Sequence, residues 1–226
     1  MSTVISQQKQ FVFIHINKSG GTSITSLLGK YEEWRVAKHL FRAVERRYLK
    51  RKYKTFACCG QYFVGNHASA MMVRKLLGEE RFNSYYKFAV VRNPWDREVS
   101  RYFYARKTPT HSHHQLASRL EFAEFVKRRS DKATRRDVSS YQFKKVSDGG
   151  GNLIVDTIVH LENLAEEIIP VFSRIGVDQS LLVPQLNRSR HRPYQDYYDD
   201  ESIELVRYFA CEDIERFGYH FENSIR

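Results

Sequence analysis

Residues 11–23, Phe-Val-Phe-Ile-His-Ile-Asn-Lys-Ser-Gly-Gly-Thr-Ser, constrain this chain more than any other stretch. An apolar run ends abruptly in a lysine, two glycines and three hydroxyl side chains, and a helical pattern follows. The pattern predicts a strand over 11–16, a tight turn and a helix over 22–29. The first N–H groups of a helix have no intrahelical partner, and the helix dipole favours an anion there. Gly20 and Gly21 let the backbone approach a ligand closely, Ser19, Thr22 and Ser23 supply hydroxyl donors, and Lys18 supplies a mobile positive charge. This composition suits a phosphate-like group.

A second strand over 86–91, Tyr-Lys-Phe-Ala-Val-Val, runs into Arg92-Asn93-Pro94-Trp95-Asp96. Asn93 suits a helix N-cap and Pro94 the first helical position, and Asp96 and Glu98 fall in the first turns, where negative charge is favoured. Arg92, at the strand's carboxyl end, can offer a bidentate fork to a phosphate. Ser100, about two turns into the helix, can turn its hydroxyl to the same anion.

Loops that bind nucleoside triphosphates carry their lysine after the glycines and a hydroxyl on magnesium. Here Lys18 precedes both glycines, and no strand ends in a clear magnesium-binding Asp. Lys-Ser-Gly-Gly-Thr-Ser instead resembles the 5′-phosphosulfate loop of sulfotransferases, which use 3′-phosphoadenosine 5′-phosphosulfate (PAPS). Arg92 with Ser100 eight positions later is similar to the 3′-phosphate site of that family. The resemblance covers most of the chain. Residues 155–164 look like the family's strand and Glu-Asn-Leu turn, and residues 213–219, after a last amphipathic helix, look like its terminal signature. The branch it resembles includes glycan sulfotransferases and bacterial relatives.

The resemblance implies a P-loop-like three-layer α/β fold, with a central parallel sheet flanked by helices and residues 1–226 as a single domain. It implies transfer of a sulfuryl group from PAPS to an acceptor hydroxyl on a carbohydrate, with no metal required. Lys18, Ser19, Gly20, Gly21, Thr22 and Ser23 would cradle the 5′-phosphosulfate, Arg92 and Ser100 the 3′-phosphate, and Asn187 and Arg188 the adenosine end. Lys18 would stabilise charge on the leaving phosphate. His67, in Gly65-Asn66-His67 after a strand over 61–65, would take the acceptor's proton, although Asn66 departs from the plain Gly-His form. An imidazole titrates near neutrality, which fits that role.

His15 ranks second as a base, because a histidine inside a buried strand is more often part of the core. Glu162 ranks lower, as part of a structural turn. His111, His113 and His114 lie in a loop over 107–117 with no carboxylate or cysteine nearby, and read as a polar segment rather than a metal site.

The formal net charge of +11 gathers in clusters over 35–54 and 127–136. Such runs are usually solvated faces, and they also attract an anionic donor or an acidic acceptor. No zinc-finger, RNA-binding or helix-turn-helix pattern points to nucleic acid. No run approaches the roughly 18–20 apolar residues that span a bilayer, residues 1–10 lack an apolar signal region, and three cysteines form no disulfide framework, so a cytoplasmic protein is expected. The remaining elements read as a basic amphipathic helix over 36–50, helices over 68–77, 94–106, 163–173 and 200–215, a strand over 154–159, and loops over 147–152 and 184–196. Strand–helix alternation argues for ligands at the carboxyl ends of a parallel sheet. Two rivals share these features: a P-loop-type nucleotide kinase or NTPase, and a non-catalytic protein that binds an acidic polymer. Oligomeric state and the identity of the acceptor are written in no pattern of the chain.

Overall fold

The computed structural model describes residues 3–31, 55–58, 61–64, 68–133, 142–178 and 192–222. The chain divides into two compact units, one formed by residues 1–91 with 144–186 and the other by residues 92–143 with 187–226.

The first unit is built on a four-stranded sheet in the order β1 (Val4–Ser6), β2 (Phe11–Ile14), β5 (Tyr86–Val91) and β6 (Thr157–His160). β2, β5 and β6 are parallel, with Phe13 opposite Phe88 and Val91 opposite His160, and β1 adds an antiparallel edge with Val4 opposite Phe13. Side chains alternate across the sheet. Phe11, Phe13, Phe88, Val90 and Val159 pack with Ile24 and Leu28 of α1 (Gly21–Leu28) and with Ile168, Val171 and Phe172 of α8 (Leu164–Arg174). On the opposite face Val12, Ile14, Ala89 and Val91 are equally inaccessible, as expected of parallel strands covered on both sides. Lys87 interrupts this apolar run and is buried, but its ammonium donates to the carbonyls of Phe82 (3.2 Å) and Tyr85 (2.6 Å) and pairs with Asp156 at 3.0 Å. The unit also contains α2 (Ala70–Leu77), capped by the Ser69 hydroxyl, and α3 (Glu79–Ser84).

The second unit is helical: α4 (Pro94–Lys107), α5 (His114–Arg119), α6 (Phe122–Ala133), α9 (Asp200–Phe209) and α10 (Cys211–Phe217). The short α7 (Phe143–Val146) lies where the chain passes back to the first unit. Aromatic rings fill the second unit's core. Tyr102 meets Phe122 at 5.6 Å and Phe125 at 5.2 Å, and Phe122 meets Tyr198 edge-on at 4.7 Å. The buried polar ends find partners, as such groups must: Trp95 Nε1 donates to the Ile203 carbonyl, Tyr198 Oη to the Trp95 carbonyl and Tyr102 Oη to the Leu120 carbonyl.

Several sequence expectations shift. The strand over 61–65 forms as β4 (Gln61–Val64), but it pairs antiparallel with β3 (Thr55–Cys58) in a separate two-stranded sheet rather than joining the parallel one. β1 arises within the polar leader, where three residues are too few for alternation to be visible. The last helix is two, because the backbone at Ala210 departs from helical angles (φ −114°, ψ 19°) with no glycine or proline to announce it. α5 and α6 occupy a stretch read only as a loop and a charge run. The expected basic helix over 36–50 lies outside the described residues. Among the described residues no helix is long and apolar enough to cross a membrane.

α9 begins with a reciprocal cap: the Asp199 carboxylate accepts from Ser202 N–H at 2.8 Å, and the Ser202 hydroxyl accepts from Asp199 N–H at 3.0 Å. Those bonds from Ser202, with a smaller share from Lys127, hold the Asp199 carboxyl down at about 2. Because its folded pKa is depressed, its contribution is complete above the usual carboxylate range and is lost as pH falls towards 2. Asp199→Ala should cost about 1 kcal/mol at pH 7 through loss of the cap. Denaturant titrations of both proteins at pH 7 and near pH 3 should show that difference shrinking in acid, and a constant difference would contradict the cap.

Candidate active site

Two clusters of sequence-predicted residues are well defined, one in each unit. In the first, residues 17–20 turn between β2 and α1. Gly20 serves as the helix N-cap with a left-handed backbone (φ 68°, ψ 0°). No side chain caps the helix and no acidic residue occupies its first turn. Lys18 is also left-handed, at φ 66°. A non-glycine residue pays about 1 kcal/mol or more there, and such strain gathers at functional loops. Lys18, Gly20 and Thr22 are half-buried, whereas Ser19, Gly21 and Ser23 are buried. The loop is thus a tight, partly buried turn with no carboxylate in the first helical turn.

The two glycines are required for different reasons. At Gly20 a Cβ would fall on the Leu161 side chain, in the turn just past β6, and the positive φ would be strained besides. At Gly21 a Cβ would fall inside the His15 ring. His15 lies just past the end of β2 rather than within it, is buried, and stacks on Phe13 with centroids 6.2 Å apart. Its backbone N–H donates to the Thr3 hydroxyl (3.4 Å), which donates to the Ala68 carbonyl (3.3 Å). His15 therefore forms part of the loop's floor.

The end of β6 is pinned from below. Glu167 Oε2 accepts from His160 N–H at 2.7 Å and lies 3.1 Å from His160 Nδ1, and Glu167 Oε1 accepts from Asn163 Nδ2 at 3.1 Å. Burial pushes the Glu167 carboxyl up, but the hydrogen bonds from His160 and Asn163 outweigh it and hold the carboxyl below its usual range. Glu162 sits beside this anchor in a 3-10 turn, Leu161–Asn163.

In the second unit, Arg92 leaves β5 and Ser100 lies on α4, both nearly buried. Asn93 caps α4 through bonds from Trp95 N–H (3.0 Å) and Asp96 N–H (3.4 Å), and Pro94 has no N–H to offer. The helix end is already satisfied, so only side chains could meet an anion here. Arg92 Nε donates to Asp96 Oδ2 at 2.8 Å, which orients the guanidinium.

Although they lie on the first two turns of α4, Arg97 and Glu98 are both buried. Glu98 binds Arg129 Nη2 at 2.6 Å and Arg101 Nε at 3.5 Å. Burial alone would raise the Glu98 carboxyl, and Arg101, Arg129 and Arg97 together hold it below its usual range. Burial pulls Arg97 down, opposed by Glu98 and Asp213. Arg129 belongs to a basic run of the kind usually found on solvated faces, but its own side chain is buried.

His67, Asn187 and Arg188 lie outside the described residues. The histidines of the 107–117 segment are engaged locally: His114 Nδ1 lies 3.0 Å from the Ala105 carbonyl, and His111 Nδ1 accepts from His113 N–H at 3.1 Å. Among the described residues no group of three or more His, Cys, Asp or Glu is placed to hold a metal ion.

Comparison with known proteins places these features in context. The model of the sulfotransferase family matches residues 1–220. An uncharacterized protein of Archaeoglobus fulgidus is 33% identical over 114 residues, which is 50% of this chain and 85% of the archaeal one. The crystal structure of mouse sulfotransferase SULT7A1 complexed with PAP superposes with a TM-score of 0.50 at 13% identity, covering 98% of this chain and 88% of that one. At that identity the likeness concerns the fold.

The packing of His15 on Gly21 gives a direct test. Gly21→Ala should destabilise the protein by about 1–3 kcal/mol through overpacking. In a double-mutant cycle with His15→Ala, the combined loss measured by denaturant unfolding should fall clearly short of the sum. Additive losses would mean that the two residues do not share this space.

Proposed function

The chain belongs to the sulfotransferase family, and from that premise we propose that it moves a sulfuryl group from PAPS to the hydroxyl of a carbohydrate acceptor, with residues 1–226 acting as one sulfotransferase domain. The observation that carries this reading is the uncapped start of α1, with Lys18 ahead of Gly20 and Gly21 and no acid in the first turn. The PAP bound in the mouse relative supports the choice of donor.

In this reading Ser19, Gly20, Gly21, Thr22 and Ser23 hold the 5′-phosphosulfate, Arg92 and Ser100 hold the 3′-phosphate, and Asn187 and Arg188 contact the adenosine. The acceptor oxygen attacks sulfur in line, the bond from sulfur to the bridging oxygen breaks, and the hydroxyl proton passes to His67. The products are the sulfate ester, adenosine 3′,5′-bisphosphate and the proton on the base. The leaving phosphate gains charge, and Lys18 neutralises it as it forms. A sulfuryl group carries less negative charge than a phosphoryl group, so positioning and local charge do most of the catalytic work. The burial of His15 against Gly21 suits support of the loop, which favours His67 as the base. A cationic surface suits an acidic glycan, and three cysteines without a disulfide framework suit the cytoplasm.

Steady-state kinetics test the role of Lys18. Lys18→Ala should lower kcat about 10²-fold or more, with a much smaller rise in the KM for PAPS. A large rise in KM at unchanged kcat would reduce Lys18 to a donor-binding residue. Lys18→Ala loses the charge but keeps a Cβ in the left-handed conformation, whereas Lys18→Gly relieves the backbone and should match or exceed wild-type stability while being equally inactive.

A further inference from the structure

We propose that Gln142 is a positioning residue for Arg92 and so sets recognition of the donor's 3′-phosphate; this inference rests on the assignment of Arg92 made above. Gln142 is completely buried. Its Oε1 accepts from Arg92 N–H at 2.9 Å, and its Nε2 donates to the Arg92 carbonyl at 2.7 Å. One side-chain amide thus takes both backbone groups of a single residue, fifty positions away in the chain. β5 ends at Val91, which is paired with His160 on β6. Arg92 is the first residue past that ladder, and Gln142 supplies the donor and acceptor that a neighbouring strand would otherwise provide.

Gln142 is itself held by the backbone around it. Gln142 N–H donates to Asp213 Oδ2 at 3.0 Å, and Phe143 N–H donates to Asp213 Oδ1 at 2.8 Å. Asp213 is buried on α10. The chain of contacts therefore runs from the Asp213 carboxylate through the Gln142 backbone and side chain to the Arg92 backbone. Asp96 then fixes the Arg92 guanidinium at Nε. A bidentate fork discriminates between ligands only when its origin is fixed, so the amide at position 142 acts on phosphate selectivity without touching the phosphate. Leucine matches the volume of glutamine but offers neither bond. Glutamate keeps the acceptor and loses the donor.

Binding of adenosine 3′,5′-bisphosphate and of AMP, each measured by calorimetry on the full chain, tests this. Wild type should prefer the bisphosphate, and Arg92→Ala should abolish the preference. Gln142→Leu should reduce the preference about ten-fold or more while leaving AMP affinity within about two-fold of wild type. Gln142→Glu should fall between the two, and in turnover it should raise the KM for PAPS more than it lowers kcat. Should Gln142→Leu fail to fold, Gln142→Glu carries the same comparison. A Gln142 variant that melts lower yet keeps the wild-type preference overturns the inference and leaves the amide a purely structural group. A wild-type protein with no preference overturns the assignment of Arg92 instead, and the positioning role with it.

Discussion

The tight turn between β2 and α1 is the constraint on which this protein's architecture turns. It forms because β2 stops at Ile14, the chain turns through 17–20, and a helix begins at Gly21 without a side-chain cap. That turn has a structural cost. Lys18 and Gly20 both adopt left-handed conformations, and two neighbours, His15 and Leu161, crowd the positions where any side chain on Gly21 or Gly20 would stand. The parallel core strands β2, β5 and β6 support this turn, with both faces of β2 and β5 buried and the end of β6 tied to Glu167. The loop is therefore a consequence of how the sheet is finished, not an appendage to it.

The second unit solves a different problem with different means. Its leading helix is already capped by Asn93, so it has no open amides to give, and charge must come from side chains. Arg92 is fixed at its backbone by Gln142 and at its side chain by Asp96. Next to it on α4, the buried Glu98 is matched by Arg129 and Arg101, with Arg97 adjacent. Two buried carboxylates, Glu98 and Asp213, thus stand among the guanidiniums of Arg97, Arg101 and Arg129. Such pairs add little net stability when desolvation is counted, so geometry and local potential are the better reasons for their presence.

Much of this was legible in the letters. The strand at 86–91 and the Asn93–Pro94 start of α4 follow directly from side-chain chemistry, as does the Lys-Ser-Gly-Gly turn, because each depends on residues adjacent in sequence. What stayed hidden depends on distant partners. Gln142 looks like any loop glutamine until its amide is seen on Arg92, and Asp213 looks like a surface helix residue until it is found receiving two backbone N–H groups seventy or more positions away. Arg129 was camouflaged by its basic neighbours. The break at Ala210 and the pairing of β4 with β3 had no local signal, since nothing in those residues forbids a longer helix or a parallel partner.

The proposed function requires the loop after β2 and the Arg92–Ser100 pair to recognise opposite ends of one doubly anionic nucleotide. A crystal structure with adenosine 3′,5′-bisphosphate bound tests it most directly. The proposal predicts the 5′-phosphate against the loop at residues 18–23 and the 3′-phosphate on Arg92 and Ser100. A nucleotide lodged elsewhere, or one whose 3′-phosphate makes no contact with Arg92, would contradict it.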